Sequence, residues 1–313
     1  MISIPTVLVL GAGASAHLDF PLGGELFVRV CEALDGNRRP PSNIGEHTLE
    51  YEELLSTTDN PSALDEFRDE LLRSGVRSVD EFLESRTEFE TLGKQAIAQQ
   101  LLKFENPQTL HDPKRENWYK SLWAIIRASF DDCVNGKLAF VTFNYDRSLD
   151  QFLCDAIQAF FRKNRAEAGE IMQKLRLIHI HGQLGKLPWQ SRGKEPGPRS
   201  GARPYETKAG PDVLRGCAKT MNLVHQMGDE DGNRRAATEL LSLADRILFL
   251  GFAYNETNMK KLLPDQTMRG KKQVLGTCQN LTETRLFHLH QNYPYLKLVP
   301  KKVGSFVDSV TIY

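Results

Sequence analysis

The sequence predicts an α/β protein with a Rossmann-like, mostly parallel sheet and an inserted helical module. Apolar runs of strand length alternate with helical stretches, which favours parallel strands joined by right-handed crossovers. A glycine-rich turn follows the first run directly. A block of about 90 residues with helical spacing and no strand pattern separates the first strand from the second, as an insertion into an α/β domain would.

The first strand and its turn are the best-defined element. Residues 6–10 form a continuous aliphatic and β-branched run, which is typical of a strand buried on both faces. Gly11 follows at once. After a short helix and a loop, Leu26, Val30 and Leu34 recur at helical spacing and predict a second helix.

Residues 46–134 are predicted to form the helical insertion. Ser78 and Glu81 make a capping box, because the serine side chain can accept the amide hydrogen of the glutamate three residues later. Trp118 and Trp123 belong to an amphipathic, aromatic-rich stretch that would suit self-association. We expect residues 1–45 and 135–313 to form the Rossmann-like domain around this insertion.

Five later segments read as strands, with a helical stretch between the first two of them. Their alternation with helices extends the parallel sheet begun by the first strand. The predicted strands are residues 138–143, 177–181, 246–250, 273–275 and, at one edge, 296–299.

Residues 186–212 are predicted to form a flexible basic loop within the Rossmann-like domain. They are rich in Gly, Pro, Ser and Arg and lack apolar periodicity. A structureless stretch of this length inside a domain is usually functional or disordered. Residues 186–208 carry six basic and two acidic side chains, a net charge of plus four. A solvated loop or a partner contact explains this charge better than nucleic acid, because the aromatic residues of single-strand binders are absent.

Composition excludes several classes of protein. The 313 residues include 40 basic and 40 acidic side chains, so whole-surface attraction to nucleic acid or anionic lipid is not expected. The five cysteines are far apart and never paired as CxxC, which argues against a disulfide framework or a four-cysteine zinc site. No apolar run approaches the length of a membrane helix. We therefore expect a cytoplasmic protein that does not contact a membrane.

The glycine turn has a dinucleotide-binding pattern. Gly11, Gly13 and Ala16 fit G-x-G-x-x-G/A between a strand and a helix, where the backbone can approach a pyrophosphate. Asp35 lies at the distance of the ribose-binding acid of dehydrogenases, but no second strand precedes it, which disfavours hydride transfer. A strand-to-helix turn without a ligand is the alternative interpretation.

Polar residues follow three other predicted strands. Asn144 and Asp146 come after the second strand, His181 ends the third, and a stretch from Gly251 to Asn258 follows the fourth. Open α/β sheets bind ligands at the carboxyl ends of their strands. Each residue also has a structural interpretation, since Asn and Asp stabilise helix starts and a strand-end His can bond to backbone.

In order and spacing, these segments resemble the sirtuin-like NAD-binding family, most closely its bacterial antiphage branch. The matching segments are GAGAS with PLGGEL downstream, TFNYD, IHIHG and GFAYNETN, which together extend from residue 7 to residue 258. The resemblance implies a Rossmann-like sheet with a helical module inserted after the first βα unit. It also implies cleavage of NAD at the nicotinamide–ribose bond, triggered by infection.

The resemblance assigns a role to each matching residue. Asn144 would orient the nicotinamide ribose and the attacking water, and His181 would be the general base. Asp146 would lie near nicotinamide. The remaining NAD-binding residues would be Gly11, Ala12, Gly13 and Ser15 at the phosphates, and Gly251, Phe252 and Asn258 on the adenosine side.

The chemistry required by this reaction fits a histidine. The reaction passes through an oxocarbenium-like centre, as glycoside hydrolysis does. The leaving group is cationic and departs neutral, so a base with a pKa near neutrality can suffice. His179, on the same strand face as His181, is expected to pack in the core instead.

Departures from the family decide among its activities. Sirtuin deacylases hold a zinc module with two cysteine pairs, which this sequence cannot build, and the Phe-Arg motif after their glycine loop is replaced here. No zinc is expected, and NAD would be the substrate of a glycohydrolase. The alternatives are a non-catalytic subunit that senses NAD or ADP-ribose, and ADP-ribosyl transfer or deacylation.

The resemblance also implies partners. With no evident sensor domain, activation would require a homo-oligomer or a separate partner, such as a HerA-type ATPase or another sensor protein. Direct binding of nucleic acid is not expected.

Overall fold

The structure is a computed structural model that describes most of the chain. The described residues are 2–37, 48–191, 202–223, 232–262, 273–279 and 281–310.

In the part of the chain that the structure describes, six parallel strands form one sheet. In spatial order they run β3-β2-β1-β4-β5-β6, and every neighbouring pair is parallel. This is the strand order of a doubly wound Rossmann sheet, so the predicted fold class is confirmed. The strands are β1 (Thr6–Leu10), β2 (Leu138–Thr142), β3 (Leu177–His179), β4 (Arg246–Leu250), β5 (Gln273–Thr277) and β6 (Leu296–Val299).

The central strand separates two apolar layers. Side chains alternate between the faces of a strand, so Leu8 and Leu10 of β1 pack into one core cluster while Val7 and Val9 pack into the other. All five residues of β1 are buried, as predicted from its continuous apolar run.

The described residues between β1 and β2 contain helices and no strand. Ser78 accepts the amide hydrogen of Glu81 at 3.2 Å, as predicted, while the bounds of the helical insertion stay a prediction. The helices are α1 (Gly23–Ala33), α2 (Leu49–Leu55), α3 (Ser62–Arg73), α4 (Val79–Ser85), α5 (Glu90–Leu102), α6 (Pro107–His111), α7 (Trp118–Ala128) and the short α8 (Phe130–Asp132).

The remaining helices connect the later strands and follow the last one. They are α9 (Ser148–Phe161), α10 (Arg165–Lys174), α11 (Pro211–Thr220), α12 (Gly232–Leu243), α13 (Glu256–Leu262), α14 (Glu283–Asn292) and α15 (Val303–Val310).

The described ends of the predicted basic loop are packed against the domain. Leu187 and Tyr205 are buried, and Lys186 pairs with Ala202 in an isolated parallel bridge. Residues 192–201, which hold three of the basic side chains and one of the acidic ones, lie outside the described residues. The flexibility of the whole loop therefore stays a prediction.

The two tryptophans expected at a self-association surface contact other parts of this chain instead. Trp118 is buried, and its Nε1 donates to the Ala14 carbonyl at 2.8 Å. Trp123 packs edge-on against Phe160 and Phe161. The aromatic pattern of α7 thus has an intramolecular explanation, and oligomer formation is left without support from this helix.

All five cysteines are buried thiols outside any disulfide. In the part of the chain that the structure describes, no helix is long and apolar enough to cross a membrane.

Candidate functional site at the carboxyl edge of the sheet

The glycine turn is held against the turn that follows β4. The Gly11 amide donates to the Leu250 carbonyl at 3.0 Å, and the Gly13 amide donates to the Gly251 carbonyl at 2.9 Å. A Cβ on Gly11 would lie 2.7 Å from the Gly251 oxygen, so this approach requires glycine. Gly251 itself has a φ of 58° and meets the backbone of residues 13 and 14. Two of the four motifs are therefore in direct contact.

The turn continues as two short 3-10 segments rather than a long helix. These are Ala12–Ala14 and Ala16–Leu18, and the first α-helix of the chain begins only at Gly23. The full helix dipole that often faces a pyrophosphate is consequently displaced from the turn. Ser15 is 3% exposed, and its hydroxyl donates to Asp146 Oδ2 at 2.7 Å. In this arrangement the hydroxyl faces the protein interior, and a role of Ser15 at the NAD phosphates stays a prediction.

Asn144 joins the end of β2 to the glycine turn. Its Nδ2 donates to the Gly11 carbonyl at 3.0 Å and to Ser15 Oγ at 3.2 Å. The Asn144 side chain does not cap α9, whose N-cap residue is Arg147. Asp146 stabilises that helix start, since its Oδ1 accepts from the Ser148 amide at 3.1 Å.

Burial raises the pKa of Asp146. The carboxyl is 8% exposed, and hydrogen bonds from the hydroxyls of Ser148 and Ser15 only partly offset the loss of solvation. The Tyr119 hydroxyl lies 2.7 Å from Ser148 Oγ and extends this chain of contacts into the helical insertion. We call Ser15, Tyr119, Asn144, Asp146, Ser148, Asp150 and His179 the polar network.

His179 completes the polar network. Its Nδ1 lies 3.0 Å from the Asn144 carbonyl oxygen, and its Nε2 lies 3.0 Å from Asp150 Oδ2. Burial opposes charge on the ring, but the Asp150 carboxylate and these acceptors leave its pKa raised. Both ring nitrogens can donate, so the imidazolium form fits the site. The predicted core position is correct, but this buried residue makes polar contacts.

His181 lies just beyond β3, in a closed part of the edge. It is 5% exposed, and its carbonyl accepts from the Asn222 amide at 2.8 Å. Its ring centroid is 5.4 Å from that of Phe143, which in turn lies 4.9 Å from that of Phe252. These ring contacts bring the His181 and Phe252 motifs together, so all four sequence motifs meet at the carboxyl edge of the sheet.

An open cleft of about 680 Å³ occupies one side of this edge. We call it the switch-point cleft, because it lies where β1 separates the two halves of the sheet. Four predicted NAD-binding residues line it, namely Ala12, Gly13, Gly251 and Phe252. Its lining does not include Gly11, Ser15, Asn144, Asp146, His181 or Asn258. Asn258 is half-buried on α13.

The switch-point cleft contains more positive than negative side chains. Lys301 and Lys302, which follow β6, line it and are exposed, and Arg115 also lines it. The Asp19 carboxylate pairs with Arg115 at 2.9 Å, and Glu116 adds a second negative charge. This charge balance suits an anionic ligand.

The insertion supplies one wall of the cleft, which sequence reasoning missed. Trp118 and His17 both contact the Ala14 carbonyl, at 2.8 and 3.0 Å. The His17 Nε2 also lies 3.0 Å from Asn117 Oδ1. These contacts hold the glycine turn against α7, and no local sequence signal could have predicted them.

A buried ion cluster of Glu105, Arg147 and Arg203 begins next to Asp146 in sequence and was also missed. The Arg147 guanidinium is fully buried and bonds both carboxylate oxygens of Glu105, and Arg203 bonds the same carboxylate. Burial opposes ionisation of Glu105, but the two guanidiniums hold its pKa below the usual value. Arg147 also donates to the Pro204 carbonyl at 3.0 Å. The cluster thus ties the insertion to the predicted basic loop.

Among the described residues, no group of three His, Cys, Asp or Glu side chains is arranged to hold a metal ion.

The fold and the site define an α/β protein with Rossmann strand order and a ligand-sized cleft at the switch point. No protein-family model matches the chain, and no curated protein matches it either. Among solved structures, the chain is similar to a triple mutant of a Sir2 homologue in complex with 2′-O-acetyl ADP ribose. The TM-score is 0.45 at 13% identity, over 99% of this chain and 92% of that one. So distant a similarity is not used to assign fold or function, and the fold assignment rests on the strand order.

Proposed function

We propose that the protein binds NAD at the carboxyl edge of the sheet and hydrolyses its nicotinamide–ribose bond. The products would be nicotinamide and ADP-ribose. One observation supports this more than any other, namely that four motifs separated along the sequence meet at one sheet edge. Asn144 bonds the glycine turn, the glycine turn bonds Gly251, and Phe143 makes edge-on ring contacts with both His181 and Phe252.

The two sides of the edge suit the two ends of a dinucleotide. The switch-point cleft, with Gly13, Lys301 and Lys302 in its lining, would accept the pyrophosphate and adenosine. Asn144 and His181 follow β2 and β3 on the other side of β1, where the nicotinamide ribose would lie. The reacting bond would then be near the two proposed catalytic residues.

The proposed step needs few protein groups. The bond between the ribose C1 and the nicotinamide nitrogen breaks, and its electron pair neutralises the cationic ring. A water oxygen bonds to the same carbon and loses a proton to His181, directly or through a ribose hydroxyl. Asn144 would orient the water and the ribose, and no general acid is required.

A conformational step would precede this chemistry. His181 is 5% exposed and Asp146 is 8% exposed, so substrate and water cannot reach both residues in the described arrangement. Opening of the edge would admit the ribose, and such motions commonly gate catalysis. We propose that self-assembly or a partner, of which a HerA-type ATPase is one candidate, supplies this opening when NAD is depleted in antiphage defence.

Turnover and binding of NAD test the proposal together. Purified protein is incubated with NAD, alone and with candidate partners, and nicotinamide and ADP-ribose are measured by chromatography. Asn144→Ala and His181→Ala are expected to lower turnover by about 10²–10⁴-fold, the usual contribution of a positioned base, while NAD still binds. The matched controls are Asn292→Ala and His288→Ala, at exposed positions of α14. These controls should keep wild-type turnover.

Other outcomes would favour the alternatives. NAD binding without turnover under every activating condition would contradict hydrolysis and support a sensing subunit. A labelled protein or nucleic acid would instead support ADP-ribosyl transfer.

A further inference from the structure

A second groove lies between the helical insertion and α11. Its volume is about 640 Å³, which is within the range of small-molecule sites. Such sites are frequent between packed units of a fold. We call it the α5–α11 groove, and its lining residues are Thr57, Glu90, Thr91, Lys94, Gln95, Arg215, Ala218, Lys219, Met221 and Asn222.

The charges of the groove favour an anion. Its lining holds three cations, Lys94, Arg215 and Lys219, and one carboxylate, Glu90. Lys94 is 6% exposed and bonds Glu90 at 2.7 Å, which places one fixed ion pair in the wall. Arg215 lies 3.6 Å from the exposed Asp212. The lining residues alone carry a net charge of plus two, and the Asp212 carboxylate beside Arg215 reduces this excess to plus one, so the groove still favours an anion.

Polar groups beside these cations could orient a ligand. The Thr57 hydroxyl donates to Gln95 Oε1 at 2.8 Å, and Gln95 is buried. Thr91 and Asn222 add a hydroxyl and an amide side chain to the lining. Cations surrounded by hydroxyl and amide groups are typical of sites that bind phosphate oxygens.

The α11 end of the groove is joined directly to the His181 segment. The Asn222 amide donates to the His181 carbonyl at 2.8 Å, and Met221 pairs with Gly182 in an antiparallel bridge. Gly182 has a φ of 69°, and a Cβ there would lie 1.9 Å from the Thr220 oxygen. Because these backbone contacts are close, a ligand that displaced residues 220–222 would also displace the backbone at His181.

We propose that the α5–α11 groove binds a small molecule carrying a phosphate group, and that its occupancy changes the affinity of the edge site for NAD. The proposed phosphate binding is argued from the groove alone. The proposed coupling to NAD affinity rests on the proposed function. Coupling of two sites is reciprocal, so NAD would change the affinity for the phosphate ligand by the same factor.

Binding is tested with two probes that lack adenosine, inorganic pyrophosphate and UMP. Calorimetry on the full chain is expected to show binding that Lys219→Glu weakens on the order of tenfold or more. Lys174→Glu is the matched control, because both lysines are exposed in the last turn of a ten-residue helix. Circular dichroism checks that both variants are folded. Binding of both probes identifies phosphate itself as the recognised group, whereas binding of UMP alone identifies a nucleotide.

Three results would overturn the proposal. Absence of binding at millimolar probe, or binding that Lys219→Glu leaves unchanged, excludes the groove as the site. Probe binding that leaves the NAD dissociation constant unchanged excludes the coupling. If the protein binds no NAD while the Lys219-dependent binding persists, the proposed function has failed and the groove assignment stands.

Discussion

The two sides of the sheet edge differ in how they are built. On the β2–β3 side, Asn144, Asp146 and His179 bond one another or their neighbours in a buried polar network. On the β4–β6 side, the switch-point cleft is open, and Lys301 and Lys302 stand exposed in its lining. One side is closed and extensively hydrogen-bonded, and the other is accessible.

This difference suggests a division of roles. An accessible cleft with excess positive charge suits binding, whereas a rigid set of hydrogen-bonded side chains suits the positioning of reacting groups. The insertion serves both sides, because Trp118 contacts the glycine turn and Tyr119 contacts Ser148. Substitutions on each side reveal how strongly that side depends on its contacts.

The buried ion cluster should give the largest effect on stability. Glu105→Gln leaves the charges of Arg147 and Arg203 without their buried carboxylate, and breaking a buried pair typically costs about 3–5 kcal/mol. Urea denaturation measures the loss. Glu167→Gln, which removes an exposed and solvent-screened pair with Lys163, should cost much less. Equal losses in the two variants would show that burial of the ion cluster adds nothing to its contribution to stability.

The contact between the glycine turn and the turn after β4 should have the second-largest effect on stability. A Cβ at Gly251 would lie 2.1 Å from the Ala14 nitrogen, at a residue whose φ is positive. Strain and overpacking together should destabilise Gly251→Ala by about 2–4 kcal/mol and weaken NAD binding.

Gly75→Ala is the matched control for that variant. Gly75 also has a positive φ, of 71°, but no atom lies within 4 Å of the added Cβ. Gly75→Ala should therefore lower the free energy of unfolding only by the cost of the left-handed backbone conformation, about 1–2 kcal/mol. If both variants lost the same free energy of unfolding, the close approach at Gly251 would have no energetic consequence.

Ser15 should give a smaller effect that is specific to the polar network. Ser15→Ala removes the donor to Asp146 and the acceptor for Asn144, and unsatisfied buried groups cost about 1–3 kcal/mol. The exposed Ser56→Ala, measured by the same denaturation, should change stability by less than about 0.5 kcal/mol. If Ser15→Ala left the free energy of unfolding unchanged, the polar network would add nothing to stability.

His179 should produce a pH-dependent effect. Its pKa in the folded state is raised above 6.5, so its stabilising contribution is complete below pH 6.5. The contribution is lost as the pH rises through the folded-state pKa. The difference in unfolding free energy between the wild type and His179→Gln should therefore shrink from acidic to alkaline pH. A constant difference across this window would mean that His179 carries no charge in the folded protein.

Local sequence patterns predicted the sheet well and its cross-connections poorly. The bounds of β1, β4 and β6 agree with their apolar runs. The third strand ends at His179, two residues earlier than predicted, because the chain turns at Gly182 with a positive φ. The fifth strand continues past its predicted end to Thr277, since pairing with β4 and β6 outweighs the weak strand propensity of Gly276.

The candidate site was predictable only where its residues follow strands. Parallel strands bring Asn144, His181 and Gly251 to one edge, so their proximity followed from the fold class. The contact of Trp118 with Ala14 and the pairing of Glu105 with Arg147 join residues 104 and 42 positions apart. Neither pair leaves a periodic or local signal, so only the folded chain reveals them.

Nicotinamide release is the most direct test of the proposed hydrolysis. NAD is incubated with the activated protein, and nicotinamide and ADP-ribose are quantified in the same sample. Hydrolysis by the proposed site predicts equal amounts of the two products and their loss in His181→Ala but not in His288→Ala. Nicotinamide release that persists in His181→Ala, or NAD that stays intact under every activating condition, would contradict it.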